Sequence, residues 1–176
     1  MKIGLCGTQS VGKTTLVNAL KGLPEFKDYI TRTERSKELM AMGIPLNTDS
    51  TLKGQCVFLA ERAGELMEEN IITDRTVIDV MAFALASKSI NYLDKEDFVN
   101  NAKNLISEYD HIFYVSPDGV EIEDNGVRET DDEYRKLIDF TINNIINRYP
   151  HRIKNLHKIS GSTEGRIEQI KRAIFL

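Results

Sequence analysis

Residues 7–14 read Gly-Thr-Gln-Ser-Val-Gly-Lys-Thr, a complete G-x-x-x-x-G-K-[ST] motif. A short apolar run precedes the motif at residues 3–6, and helical apolar spacing follows it at residues 15–20. In such a loop the backbone N–H groups surround a polyphosphate, the lysine reaches the terminal phosphates, and the last hydroxyl can ligate Mg²⁺. The motif therefore predicts a set of phosphate-binding residues near the N-terminus: Gly7, Gln9, Ser10, Val11, Gly12, Lys13, Thr14 and Thr15.

The length and charge of the chain limit its class. Its 176 residues suit one compact domain covering residues 1–176, and no Pro-, Gly- or Ser-rich stretch marks a boundary. The net charge of −4 disfavours a protein that holds nucleic acid through a broad basic face, although DNA as a substrate stays open. Cys6 and Cys56 match no metal-binding spacing, which predicts buried, reduced thiols and a cytoplasmic protein, in the host cytoplasm if it is phage-encoded. The sequence contains no apolar run long enough to predict a membrane-spanning segment.

Extended apolar runs alternate with helical patterns along the whole chain. This alternation predicts an α/β protein in which a parallel sheet is covered by helices on both faces. The predicted strands are residues 2–6, 29–32, 71–74, 111–115 and 156–159. The predicted helices are residues 13–20, 52–69, 77–87, 95–108, 131–148 and 163–175.

A second candidate for chemistry is Asp74, which ends the third predicted strand and is followed by Arg75. Open α/β sheets bind their ligands at the carboxyl ends of the strands. At this place an aspartate can hold Mg²⁺, with Thr14, or accept the proton of an attacking hydroxyl. Arg75 is predicted to clamp a phosphate or ribose oxygen. An ordinary ion pair at the strand end is the alternative interpretation.

The phosphate loop after the first strand, the Asp74-Arg75-Thr76 triplet after the third and the arginine-bearing segment after the fourth resemble the thymidylate kinase and deoxynucleoside kinase group. They also resemble phage-associated nucleoside and nicotinamide-riboside kinase-like domains. The resemblance implies the P-loop NTPase fold, a five-stranded parallel sheet of order 2-3-1-4-5 with a small lid, and ATP with Mg²⁺ as cofactors. It also implies that Asp74 is the catalytic carboxylate and that Arg75 binds phosphate or substrate. The sequence departs from the thymidylate kinase pattern at residues 8–11, which lack an acidic residue, and at Thr76; both count against thymidylate itself as the substrate.

The polar, turn-rich segment at about residues 117–135 is interpreted as the lid. In the kinases that the chain resembles, this region closes over the phosphates and supplies an arginine to the transferred phosphoryl group. Arg128 is the candidate catalytic residue and Arg135 the candidate nucleotide-binding residue. The alternative is a solvated acidic loop whose arginines pair with neighbouring carboxylates.

The acceptor side of the site is predicted from two segments. Arg32 and Arg35 follow the second strand, and Gln55 and Arg62 share one face of the second predicted helix. A glutamine offers both a donor and an acceptor to the edge of a base. These four residues are predicted to bind substrate, with a surface role as the alternative for the arginines. Phe58 on the same face favours a core position.

The loop at residues 160–166 follows the fifth predicted strand. In the resembling kinases this loop holds the adenine of ATP, which implies cofactor-binding roles for Gly161 and Arg166. The competing interpretation is that Ser162 or Thr163 caps the last helix and the loop does nothing else. The two interpretations are compatible.

Taken together, these motifs favour a kinase that transfers the γ-phosphoryl of ATP to a nucleoside- or nucleotide-like acceptor, most favourably of the deoxynucleotide class. A kinase acting on 5-hydroxymethyluracil in DNA is an alternative, as is a non-catalytic ATP-binding regulatory module. A GTPase is disfavoured because the Asn-Lys-x-Asp motif that reads guanine is absent. The three histidines show no metal-ligand spacing. The oligomeric state stays open, with a homodimer as one possibility.

Overall fold

Five short strands form an all-parallel sheet in the computed structural model, which describes residues 1–118 and 132–176. The order across the sheet is β2-β3-β1-β4-β5, which confirms the expected arrangement. Leu5 of β1 lies opposite Asp74 of β3, so the end of the first strand and the predicted carboxylate reach the same edge of the sheet. The strands are β1 (Lys2–Cys6), β2 (Ile30–Arg32), β3 (Ile71–Asp74), β4 (His111–Val115) and β5 (Leu156–Ile159).

Helices connect these strands and cover both faces of the sheet, as parallel connections require. The helices over the described ranges are α1 (Lys13–Lys21), α2 (Ser36–Ala41), α3 (Leu52–Glu65), α4 (Val77–Ala86), α5 (Tyr92–Ala102), α6 (Asp132–Arg148) and α7 (Thr163–Phe175). Short 3₁₀ turns occur at Pro24–Phe26, Asn47–Asp49, Lys103–Glu108 and Pro150–Arg152. No helix in the described part of the chain has the length and apolar character needed to cross a bilayer.

Successive side chains along each strand point to opposite faces of the sheet, so the strands contribute to two apolar cores, one on each face. On β4, Phe113 and Val115 face the core formed with α1 and α7, whereas Ile112 and Tyr114 face the core formed with α3, α4, α5 and α6. Helix α4 is apolar except for Asp79 and is buried from Val77 to Ala84. The result is a three-layer arrangement in which α4 lies inside the thicker helical layer.

The element boundaries depart from the sequence prediction by more than one residue in three places. Helix α2 was not predicted, because its six residues are too few to show a helical period. Helix α3 ends at Glu65 rather than at residue 69. The helix predicted at residues 95–108 begins earlier, at Tyr92, where the Asn91 side chain caps it, and it becomes a 3₁₀ turn from Lys103.

Two other sequence expectations concern the cysteines and the lid. Both cysteines are free. The predicted burial is confirmed for Cys6, at the end of β1, and is wrong for Cys56, which is exposed on α3. Burial raises the pKa of the Cys6 thiol, so this thiol stays protonated and unreactive. Most of the predicted lid, including Arg128, lies outside the described residues.

His111 and His157 form a stacked pair on neighbouring strands, with their ring nitrogens 3.1 Å apart. Burial and the facing His157 lower the pKa of His111, and burial lowers that of His157. Both imidazoles are therefore neutral in the folded protein at a pH where the unfolded chain, with a pKa of about 6.5, already binds protons. Because the unfolded state then holds more protons, the free energy of unfolding is expected to fall as pH drops from about 7.5 to about 5.5. Urea unfolding at these two pH values measures the fall, and His157→Asn should reduce it; an equal fall in the variant would contradict this interpretation.

Candidate active site

The phosphate loop connects β1 to α1 and is shaped by two glycines. Gly7 has a φ of +156°, and a Cβ atom there would lie 2.7 Å from the Val115 carbonyl oxygen, so the loop can pass this close to β4 only with glycine. Gly12 adopts a left-handed φ of +84° immediately before α1 begins at Lys13. Within the described residues no side chain caps the start of α1 and no acidic residue occupies its first turn. The first N–H groups of α1 thus point toward an open cavity and favour an anion there.

This cavity, here called the phosphate cavity, has a volume of about 100 Å³. Seven of the residues that the motif predicted to bind phosphate line it, from Gln9 to Thr15. Gly7, the first residue of the loop, does not line the cavity but allows the loop to pass close to β4. Three side chains from other elements complete the lining: Glu34, Asp74 and Arg75.

Lys13 is buried, and its ammonium nitrogen donates to the carbonyl oxygens of Gly7 and Thr8 at 2.6 and 2.8 Å. Burial lowers the pKa of Lys13, while the carboxylates of Asp79 and Asp74 counteract this shift. The ammonium is thus held at the rim of the phosphate cavity by the same loop that would surround the anion.

Asp74 lies at the end of β3 and is buried. Its Oδ2 accepts a hydrogen bond from the Thr14 hydroxyl, so the two predicted metal ligands are brought together. A hydroxyl and a carboxylate oxygen at a phosphate site suit Mg²⁺, which prefers a few protein oxygens together with water and substrate phosphates. Elsewhere in the described ranges no group of three or more His, Cys, Asp or Glu side chains is arranged to hold a metal.

Arg75 follows Asp74 in a strained conformation, with a φ of +101° that non-glycine residues rarely adopt. Its amide donates to the Leu5 carbonyl at 3.0 Å, which ties the turn to the end of β1. The guanidinium lies 4.7 Å from the centre of the Phe83 ring and 3.9 Å from a carboxylate oxygen of Glu34. These contacts direct the Arg75 side chain between two cavities.

The second cavity, here called the acceptor cavity, adjoins the phosphate cavity and has a volume of about 20 Å³. Gln9, Glu34 and Arg75 line both cavities. The remaining lining combines apolar and polar side chains: Ser36, Leu46, Asn47, Gln55, Phe58, Val80 and Phe83. Gln55, predicted to bind substrate, therefore lies where a second ligand would meet the phosphates.

Sequence reasoning missed Glu34. Its carboxylate accepts a hydrogen bond from the Ser36 amide at 2.8 Å and another from the Ser36 hydroxyl. Burial raises the pKa of Glu34, but the Arg75 guanidinium and the Ser36 hydrogen bonds outweigh it, so the pKa lies below its ordinary value. The carboxylate is thus ionised at neutral pH and positioned between the cavities. The position of Glu34 in the sequence could have identified it, because Glu34 follows the end of β2 at the same sheet edge as Asp74.

Three predicted substrate-binding arginines line neither cavity. Arg32 and Arg35 line a separate surface groove of about 260 Å³ together with Glu61, Gly64, Glu65 and Glu68. Arg35 is half exposed and pairs with Glu38 and Glu61. Arg62 is buried and donates to Glu65 at 2.7 Å. In this structure Arg35 and Arg62 are engaged by carboxylates of α2 and α3.

Two of the predicted nucleotide-binding residues, Arg135 and Arg166, contact the phosphate loop. Arg135 is buried on α6, and its carbonyl oxygen accepts a hydrogen bond from the Thr8 hydroxyl at 3.1 Å. Arg166 is also buried, and its guanidinium donates to the Val11 carbonyl at 2.6 Å, so it braces the phosphate loop. Gly161 has a left-handed φ of +91°, and Ser162 caps α7 by accepting from the Gly165 amide at 3.2 Å. The predicted cap is confirmed at Ser162, and a nucleotide role for this loop stays a prediction.

Comparisons with known proteins agree with this geometry. Residues 2–166 match the model of a family described as an AAA domain. No curated protein matches the chain significantly.

Several solved structures of deoxyadenosine kinase from M. mycoides are similar to the chain. The structure with the products dCMP and a flexible dCDP is 18% identical with a TM-score of 0.64, covering 99% of this chain and 96% of that one. The structure with bound dCTP is 16% identical with a TM-score of 0.66, and the one with bound dATP is 18% identical with a TM-score of 0.62; each covers 99% of this chain and 98% of that chain. At these identities the likeness establishes the fold, and the expected P-loop fold is confirmed.

Proposed function

The chain belongs to the AAA domain family, and from that premise we propose that it is an ATP-dependent kinase that phosphorylates a hydroxyl group of a deoxynucleoside-like acceptor. The observation that carries the proposal is the arrangement of two adjoining cavities that share Glu34 and Arg75. A site that only bound a nucleotide would need the phosphate cavity alone. A phosphoryl transferase needs both, with charged groups where the two ligands meet.

On the donor side, the amides of the phosphate loop and Lys13 neutralise the charge of the ATP phosphates. Thr14 and Asp74 are the residues that would hold Mg²⁺, and a bound Mg²⁺ would supply charge neutralisation between the phosphates. Arg75 reaches the junction of the cavities, where its guanidinium meets the negative charge that spreads over the transferred phosphoryl oxygens.

On the acceptor side, Glu34 is the residue best suited to take the proton of the attacking hydroxyl. It is ionised, it faces both cavities and its orientation is held by Ser36 and Arg75. Asp74 accepts the Thr14 hydrogen bond and lines only the phosphate cavity, which favours a role in organising the metal. A carboxylate base implies an acceptor that carries a hydroxyl rather than a phosphate.

The walls of the acceptor cavity suit a planar, hydrogen-bonding ligand, for which the cavity of about 20 Å³ must first widen. Phe58 and Phe83 provide aromatic faces, and the buried amide of Gln55 provides a donor and an acceptor for the edge of a base. Deoxyadenosine kinase from M. mycoides, which shares the fold, has been solved with dCMP, dCTP and dATP. These features together favour a deoxynucleoside. We further propose that residues 1–176 form one kinase domain.

The test is γ-phosphoryl transfer from labelled ATP with Mg²⁺ to a panel of acceptors. The panel contains the deoxynucleosides, the ribonucleosides, their monophosphates, nicotinamide riboside, and DNA with and without 5-hydroxymethyluracil. Transfer to the 5′-hydroxyl of a deoxynucleoside is the expected result. Transfer only to monophosphates or to the modified DNA would replace the proposed acceptor, and tight ATP binding without any transfer would indicate a regulatory nucleotide-binding module.

A further inference from the structure

Asp79 on the first turn of α4 lines neither cavity, yet its carboxylate is fully buried and accepts three hydrogen bonds. One oxygen accepts from the Gly7 amide at 3.0 Å. The other accepts from the Thr76 amide at 2.7 Å and from the Thr76 hydroxyl at 2.8 Å. A carboxylate has no proton to donate when ionised, so it matches three converging donors without leaving one unpaired.

Helix capping accounts for only part of this arrangement. Thr76 and Asp79 form a reciprocal capping box at the start of α4, and that box requires of the Asp79 carboxylate only the contact with the Thr76 amide. The contact with Gly7 crosses to a different element, because Gly7 is the first residue of the phosphate loop. A capping box of an isolated helix would leave this oxygen to solvent.

Asp79 joins two segments of the chain, and each segment carries one part of the candidate site. Gly7 opens the loop that surrounds the phosphates, and Thr76 closes the turn that carries Asp74 and Arg75. That turn is strained, since Arg75 has a φ of +101°. A strained backbone persists only where its surroundings hold it, and Asp79 supplies the hydrogen bonds on the residue immediately after the strained one.

We propose that Asp79 is a positioning residue, which fixes the phosphate loop and the strained Asp74-Arg75 turn in one frame. The inference rests on the proposed kinase function for its catalytic part and on the phosphate cavity for its nucleotide-binding part. Displacement of Gly7 would misalign the loop amides, and relaxation of the turn would withdraw the Arg75 guanidinium from the junction of the cavities.

Asp79→Asn tests the proposal. The asparagine side chain has nearly the same size, but its NH₂ group would face one of the three N–H or O–H donors and could not accept that hydrogen bond. We expect the affinity for a fluorescent ATP analogue, measured without acceptor, to weaken about tenfold. The kcat of transfer should fall by about 10²-fold, the size of effect that small misplacements produce, with the KM for the acceptor nearly unchanged.

The matched control is Asp94→Asn. Asp94 occupies the same third helical position of α5, where it exchanges hydrogen bonds with Asn91 at 2.7 and 2.9 Å, and neither residue lines a cavity of the site. Its loss should lower the melting temperature without changing ATP affinity or kcat. If Asp79→Asn behaves as this control does, Asp79 is only a helix cap and the proposal is overturned.

A double variant separates positioning from general destabilisation. If Asp79 acts partly through Arg75, Asp79→Asn should cost less in kcat when Arg75→Ala has already removed the guanidinium. Fully additive effects would overturn that step. Should Asp79→Asn not fold, Thr76→Val removes a single donor to the carboxylate and is expected to show the same split between kcat and KM at smaller size; wild-type kinetics in Thr76→Val would then overturn the proposal.

The same measurements distinguish this inference from the proposed function. A wild-type protein that binds the ATP analogue but phosphorylates no acceptor removes the kinase assignment, while the affinity of Asp79→Asn still tests positioning of the phosphate loop. A wild-type kinase whose Asp79→Asn variant retains full affinity and turnover keeps the function and removes the inference.

Discussion

Lys13→Ala is expected to abolish phosphoryl transfer, with a loss of kcat of at least about 10³-fold, while the protein stays folded. Lys13 contributes the ammonium at the rim of the phosphate cavity, where no other Lys lines the cavity among the described residues. The fold should survive, because burial already lowers the pKa of Lys13 and its removal takes a desolvated charge out of the interior. Steady-state transfer and the thermal unfolding midpoint, measured on the same preparation, check both statements.

Lys21→Ala is the matched control, since Lys21 lies exposed in the last turn of the same helix. It should leave turnover unchanged. Retained turnover in Lys13→Ala, with the control behaving normally, would remove the assignment of residues 7–14 as the phosphate-binding loop.

Glu34→Gln and Asp74→Asn are expected to impair the enzyme in different ways. Loss of the base should lower kcat by about 10²- to 10⁴-fold in Glu34→Gln, with ATP affinity and the Mg²⁺ requirement close to those of the wild type. Asp74→Asn should instead raise the Mg²⁺ concentration needed for half-maximal rate, because the amide is a weaker metal ligand than the carboxylate. Transfer rates measured across a range of Mg²⁺ concentrations separate the two patterns.

Glu108→Gln provides the control for charge loss, because Glu108 pairs with Lys2 on the surface just before β4, away from the cavities. The opposite pattern, in which Asp74→Asn loses rate at all Mg²⁺ concentrations and Glu34→Gln shifts the Mg²⁺ requirement, would exchange the two roles. In that case Asp74 would be the base, as the resemblance to known kinases implied.

The strands and the phosphate loop could be predicted because their signals are local. Four of the five strands have the predicted bounds, and β2 begins one residue later, at Ile30. Each strand is a short apolar run between polar segments, and the phosphate motif encodes its own turn through Gly7 and Gly12. Helix α2 carried no such signal, since six residues show neither a period nor a side-chain cap.

The acceptor side was harder to predict because it depends on which elements meet in space. Gln55 and Arg62 share a helical face, but seven residues span about 10 Å along a helix. Gln55 therefore reaches the acceptor cavity while Arg62 lies beyond it and pairs with Glu65. Glu34 was passed over in favour of its arginine neighbours, and its position between the cavities follows from the order of the sheet, in which β2 lies beside β3.

The two cysteines differ enough in exposure to be useful at the bench. Cys6 is inaccessible and stays protonated, whereas Cys56 is exposed and follows Gln55, a wall of the acceptor cavity, directly in sequence. A maleimide dye added to the unmodified protein would therefore attach at Cys56. The natural chain thus carries one accessible thiol among its two cysteines, which allows a dye to be attached at a single site on the helix that also carries Gln55.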